Sequence, residues 1–82
     1  HIVDSLGWIY YRQGKYAQAV QQLERAVLMM RDKPDAVVYE HLGDAYDKLG
    51  NPAQARRAWQ RALDLKGDPA RLSVKIGNPD KK

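Results

Sequence analysis

Hydrophobic side chains recur along this chain at helical spacing, and turn-forming residues separate the segments in which they do so. In the first segment, Ile2, Leu6, Ile9 and Tyr10 follow the i, i+3, i+4, i+7 rule of an amphipathic helix. Period-two alternation is missing from the sequence and β-branched residues are few, so no strand is predicted. The chain is therefore expected to be all-α.

Glycine, proline and short polar residues mark where these helices end. Pro34 stops one helix, and Asp35 and Asn51 are placed to cap the next two by accepting hydrogen bonds from first-turn N–H groups. Gly50 and Pro52 give a helix stop and a helix start around Asn51. Five helices are predicted, at about residues 2–13, 16–31, 36–49, 52–66 and 69–76.

The pattern of small and hydrophobic residues occurs twice in the chain, and each residue of the first copy matches one 36 positions later. Glycine in the middle of a helix costs up to about 1 kcal/mol relative to alanine, so Gly7 and Gly43 indicate close approach of a neighbouring helix. Ala19 and Ala55 are the expected partners of these glycines. The residues predicted to pack in the core are Leu6, Gly7, Tyr10, Ala19, Leu23, Ala26, Leu42, Gly43, Tyr46, Ala55, Trp59 and Ala62.

This duplicated pattern resembles the tetratricopeptide repeat, a helix–turn–helix unit of about 34 residues with the signature W-x2-L-G-x2-Y, A-x3-F, A and P. The first copy reads Val3-x2-Leu6-Gly7-x2-Tyr10, Ala19-x3-Leu23 and Ala26. The second copy reads Tyr39-x2-Leu42-Gly43-x2-Tyr46, Ala55-x3-Trp59 and Ala62. Two departures are visible: two extra residues lie between the copies, and the signature proline is displaced to Pro34 and Pro69.

The resemblance implies an α-solenoid of two repeats, at residues 1–34 and 35–68. A capping helix is expected at 69–77, followed by a flexible tail at 78–82. In this family the first helix of each repeat lines a concave groove, and arrays often end in an extra helix. The chain therefore resembles the C-terminal end of a longer array. Self-association through the uncovered face of the first repeat is expected.

Composition excludes several classes of chemistry. The 82 residues contain no cysteine and two histidines, so thiolate metal sites and disulfides are absent. Ser5 and Ser73 lack a histidine–acid partner at a recognisable spacing. His41 and Asp44 lie three residues apart on one predicted helix, but they lack a third metal ligand. We expect neither catalysis nor a cofactor, and the apolar runs are far too short for a membrane span.

Family geometry instead directs attention to the groove. The positions that the resemblance places there are Asp4, Trp8, Tyr11 and Arg12 in the first copy, and Glu40, Asp44, Asp47 and Lys48 in the second. Four acids and two aromatic rings would then share one surface, while the arginines of the fourth helix face outward. The predicted function is a protein–protein interaction scaffold without catalysis, binding a basic or aromatic peptide segment of a partner.

Two alternatives remain. The repeats could be purely structural, terminating a solenoid without binding anything. They could also bind nucleic acid weakly, because the formal net charge is +4 and Arg56, Arg57, Arg61, Arg71 and Lys75 lie near the C-terminal end. The charge is small and no aromatic residues interleave with these basic ones, so a nucleic-acid partner is not expected.

Overall fold

Residues 2–30 and 32–77 are described by the structure, a computed structural model, with side chains from residue 6 onward. This part of the chain contains no strand, and its five helices confirm the all-α prediction. They are α1 (Ile2–Arg12), α2 (Tyr16–Met29), α3 (Ala36–Leu49), α4 (Pro52–Asp64) and α5 (Pro69–Gly77). The predicted tail, residues 78–82, lies outside the described part.

Neighbouring helices pack in the order expected of stacked helix pairs. Helix α1 packs on α2 and α3 on α4, while α2 also packs on α3 and so joins the two pairs. Helix α5 lies against α4. None of the described helices is both long enough and apolar enough to cross a membrane. The arrangement is a short α-solenoid in which each pair covers an apolar face of the next.

Two hydrophobic clusters hold the helices together. One joins α2 and α3, and its fully buried members include Leu23 and Ala45. The other joins α4 and α5 around Trp59 and Leu72, the latter with no exposed surface. All but three of the predicted core residues are buried: Tyr10 and Tyr46 are half-buried and Leu6 is 37% exposed.

The exposure of Leu6 corrects the prediction that it is a core residue. Its equivalent in the second copy, Leu42, is only 6% exposed and belongs to the cluster that joins α2 and α3. No described helix takes the place of α2 on the outer side of α1. Leu6 therefore occupies a repeat position that α2 helps to bury in the second copy and that no described helix covers in the first.

Both mid-helix glycines lie where the sequence predicts close approach, but the nearest partners differ from those expected. A Cβ atom on Gly7 would lie 2.6 Å from Cγ of Leu23 and only 3.5 Å from the backbone oxygen of Ala19. A Cβ atom on Gly43 would collide with the indole ring of Trp59. The glycines thus make room for the large side chain one turn beyond the expected alanine.

Helix ends agree with the predicted signals, with two corrections. Asp35 caps α3 by accepting a hydrogen bond of 2.9 Å from the N–H of Val37. Asn51 makes no side-chain cap for α4, where Pro52 already removes one of the unpaired N–H groups. Helices α2 and α4 each end two residues earlier than predicted, at Met29 and Asp64.

Among the described residues, three that follow a helix have a left-handed backbone conformation. Gly14 and Gly50 have φ angles of 79° and 93°, as expected for glycines that follow α1 and α3. Lys66 follows α4 in the same conformation, with φ of 70°. A side chain with a Cβ atom is disfavoured there, so Lys66 carries local strain.

We predict that Lys66→Gly raises the free energy of unfolding by about 1 kcal/mol, because glycine adopts this φ without steric cost. Lys66→Ala is the matched control, since it removes the long side chain and keeps the Cβ atom. Urea unfolding monitored by circular dichroism measures both variants. Equal stabilisation by alanine and glycine would contradict the conformational explanation.

We predict that Gly43→Ala lowers the free energy of unfolding by about 1–3 kcal/mol, because the added methyl group displaces the buried ring of Trp59. This cost exceeds the gain of up to about 1 kcal/mol in helix propensity. Gly77→Ala is the control, because no heavy atom lies within 4 Å of its added methyl group. Thermal unfolding that shows Gly43→Ala to be as stable as the parent would disprove this packing.

Candidate functional site

An aromatic row runs across the junction of α1 and α3. Trp8 of α1 stacks on His41 of α3, with ring centroids 4.1 Å apart and planes 18° apart. Tyr11, one helical turn after Trp8, stacks on the same indole at 4.7 Å and 7°. Tyr16 contacts Tyr11 edge to face at 5.4 Å. These four residues form what we call the aromatic row, which joins the first repeat to the second.

Beside the row, an ion cluster connects α3 to α5. Arg71 donates two hydrogen bonds to Glu40, from Nε to Oε2 at 2.6 Å and from Nη2 to Oε1 at 2.9 Å. Lys75 contacts the same carboxylate at 3.0 Å and also binds Asp44 at 2.7 Å. Two acids and two bases, Glu40, Asp44, Arg71 and Lys75, therefore neutralise one another.

Trp59 links this ion cluster to the hydrophobic core. Its indole Nε1 donates a hydrogen bond of 3.1 Å to Oδ1 of Asp44. The ammonium group of Lys75 lies 5.8 Å from the centroid of the same ring, within range of a cation–π interaction. The indole that fills the space beside Gly43 thus also positions the charged groups at the surface.

The pKa values of the clustered groups follow from these contacts. Hydrogen bonding from Arg71 lowers the pKa of Glu40 to about 2, although burial opposes the shift. Burial alone would lower the pKa of Lys75, but its hydrogen bonds to Asp44 and Glu40 outweigh that effect and raise the pKa. Glu40 and Lys75 therefore both stay ionised near neutral pH.

The predicted groove residues divide into three groups. Trp8 and Tyr11 lie in the aromatic row, with Asp44 and Asp47 nearby. Burial is the largest cause that raises the pKa of Tyr11, and the charges of these two acids raise it further. Glu40 is 7% exposed and its carboxylate is directed at α5. Arg12 and Lys48 are exposed at the ends of their helices, and the side chain of Asp4 lies outside the described part.

These contacts correct the expectation that charge is segregated by sign between the two faces. Arg56, Arg57 and Arg61 are exposed on α4, but Arg56 lines a cleft together with Asp44 and Asp47. Arg71 and Lys75 also bring two positive charges to the acids of α3. The surface formed by Trp8, Tyr11, His41, Asp44 and Asp47, which we call the inner face, is therefore less acidic than the sequence indicates.

Sequence reasoning missed His41, Arg71 and Lys75. The sequence indicates no role for His41 beyond an incomplete metal site, and in the structure its ring stacks on Trp8. One signal for the ion cluster was present, because two acids at i, i+4 on α3 match two bases at i, i+4 on α5. No three histidine, aspartate or glutamate side chains within residues 2–30 and 32–77 are grouped as a metal site would require.

Comparison with known proteins gives two findings. The sequence matches the family profile described as tetratricopeptide repeat over residues 10–80. It is also 49% identical over 43 residues to a TPR repeat-containing protein of Pseudomonas aeruginosa. That match covers 52% of this chain and only 7% of the relative's length.

We predict that stability depends on pH through Glu40. Because its pKa is lowered from 4.5 to about 2, its contribution is fully present above about pH 5 and is lost as the pH falls towards 2. Glu40→Gln should lower the free energy of unfolding at pH 7 by about 1–3 kcal/mol. The variant should then lose less further stability than the parent on acidification.

Asp32→Asn is the matched control, since it removes a carboxylate from an exposed loop position. Urea unfolding at several pH values measures all three proteins. If the stability of Glu40→Gln fell with pH in parallel with that of the parent, the ion cluster would not be the source of the dependence.

Proposed function

This chain belongs to the tetratricopeptide repeat family, and we propose that it acts as a protein–protein interaction scaffold that holds a peptide segment of a partner on its inner face. Repeats of this family generally mediate protein–protein interactions, and they are typically not catalytic. The finer proposal is that the segment presents a basic or aromatic side chain to Tyr11 and Asp47. The aromatic row at the repeat junction is the observation that carries it.

The electrostatics of Tyr11 support a cationic ligand group. Burial is the largest cause that raises the pKa of this half-buried phenol, and the negative charges of Asp44 and Asp47 near the ring raise it further. A positively charged side chain placed against this ring would be attracted by those charges and would also gain a cation–π interaction. The positive charge of Lys75 partly cancels the negative potential of these acids, so the attraction for a cationic ligand group is confined to the surroundings of Tyr11.

Among the acids of the inner face, Asp47 is the most available to a partner. The carboxylate of Asp44 is bound to Lys75 and Trp59, whereas the exposed Asp47 has no ion pair within the described residues. Asp47 also lines a cleft of about 360 Å³, whose other charged lining residues are Asp44, Arg56 and Lys75. A peptide that extends from Tyr11 past Asp47 would enter this cleft.

The alternative of nucleic-acid binding loses support from the same contacts. Arg71 and Lys75 are engaged with carboxylates, which leaves the exposed arginines of α4 as the basic patch. Family members that clamp acidic chaperone tails use lysine and asparagine in the groove. By the resemblance, such positions are occupied here by Asp4, Trp8, Glu40 and Asp44, so we propose that acidic tails are not ligands.

We expect Asp47→Lys to weaken a peptide containing arginine and tyrosine by about tenfold, since it replaces an attraction with a repulsion. The free energy of unfolding should change by less than about 0.5 kcal/mol, because the side chain is exposed. Fluorescence polarisation with a labelled Arg-Tyr-Arg peptide measures binding. A second peptide, with glutamate in place of each arginine, tests charge preference.

Asp64→Lys on α4 is the matched control, as it makes the same charge change away from the inner face. It should bind the arginine peptide as the parent does. Equal loss of binding in both variants would indicate a non-specific charge effect, and preference of the parent for the glutamate peptide would overturn the proposal.

A further inference from the structure

A crevice formed by α2, the loop after it, α3 and α4 lies apart from the inner face. Its volume is about 630 Å³, and Leu28, Pro34 and Tyr39 are among the residues that line it. Leu28 is 67% exposed, and the adjacent Met29 is 72% exposed. Two large hydrophobic side chains so open to water, beside a concave surface, are typical of an interaction site.

The repeat pattern does not explain the apolar side chain at this place. The position equivalent to Leu28 in the second copy, 36 residues later, is Asp64, which is exposed on α4. A helix of this repeat can therefore carry a charge there without loss of its packing. Helical packing leaves the choice of leucine at residue 28 unaccounted for, whereas binding of an apolar group would account for it.

Arg61 gives the crevice its charge. Among the described residues that line the crevice, Arg61 is the one with a charged side chain, and its guanidinium lies over the ring of Tyr39 at 5.6 Å from the centroid. Arg61 makes no ion pair within residues 2–30 and 32–77. Stacking on Tyr39 positions the guanidinium while leaving its hydrogen-bond donors available to a carboxylate.

Of the helices beside the crevice, α4 carries a net positive charge from three arginines and one acid, whereas α2 has one arginine and one acid. Both acids have internal partners: Glu24 accepts a hydrogen bond from Tyr46, and Asp64 accepts one from Gln60 at 3.2 Å. Arg57 lies one helical turn before Arg61, so it extends the positive charge along the same side of α4.

We propose that this crevice binds an acidic amphipathic segment of a partner protein. One or two apolar side chains of that segment enter between Leu28 and Tyr39. A flanking carboxylate pairs with Arg61, and a second one, a turn away, lies near Arg57. This site is separate from the inner face and takes a ligand of opposite charge, so it does not rest on the function proposed above.

The probe is a synthetic helical peptide of about twelve residues, or three turns, with leucine at i, i+3, i+4 and i+7 and glutamate at most other positions. A matched peptide replaces every glutamate with lysine. Titration into the 15N-labelled chain, followed by NMR chemical shifts, gives both the affinity and the surface contacted. The acidic peptide should bind with a Kd below about 1 mM and shift residues of the crevice.

Three variants locate the site. Leu28→Ser and Arg61→Glu should each weaken the acidic peptide by about tenfold or more. Arg61→Glu should also bind the lysine peptide better than the parent does. Leu49→Ser is the control, because this residue is 41% exposed at the opposite end of α3 from Tyr39, and it should bind as the parent does.

Four outcomes would overturn the proposal. They are the absence of binding at this affinity, equal binding of the acidic and lysine peptides, chemical shifts confined to the inner face, and unchanged binding by Leu28→Ser. Sedimentation of the chain alone tests whether the crevice instead joins two copies. A dimer that Leu28→Ser dissociates and that the acidic peptide does not compete with would assign the crevice to self-association.

Discussion

The close approach of the Gly43 backbone to the indole of Trp59 is the contact on which the rest of this structure depends. It lets α3 and α4 come together, and it fixes the ring so that its N–H reaches Asp44. Asp44 and the ring then both position Lys75 of α5. A packing constraint inside one helix pair therefore determines where charges lie on the surface of the next element.

The same chain of contacts explains the chemical character of the inner face. Glu40 and Asp44 would form a strongly acidic patch if α5 were absent, and with α5 present they are neutralised by Arg71 and Lys75. What remains is the aromatic row with Asp47 at its side. A ligand of this face would then be selected by ring stacking and one local charge more than by a broad electrostatic field.

The features of this fold that the sequence predicts are the helices and the packing between the two helices of each repeat. Small residues at matched positions, with glycine and proline between segments, predict the helices and the packing of Leu23 and Trp59. Leu6 differs because its burial depends on a neighbour that the pattern implies and the described chain does not supply. Glu40 and Arg71 lie 31 residues apart, and their pairing depends on the direction in which α5 packs on α4, which helical periodicity does not specify.

The two tryptophans of this chain occupy different kinds of place. Trp8 spans the boundary between repeats by stacking on His41, while Trp59 lies 7% exposed within the second helix pair. Fluorescence of Trp8 would therefore respond to separation of the two helix pairs, and fluorescence of Trp59 to unfolding of the second pair. In variants that keep one tryptophan and replace the other with phenylalanine, the fluorescence of the remaining indole would show whether the two helix pairs unfold together or in succession.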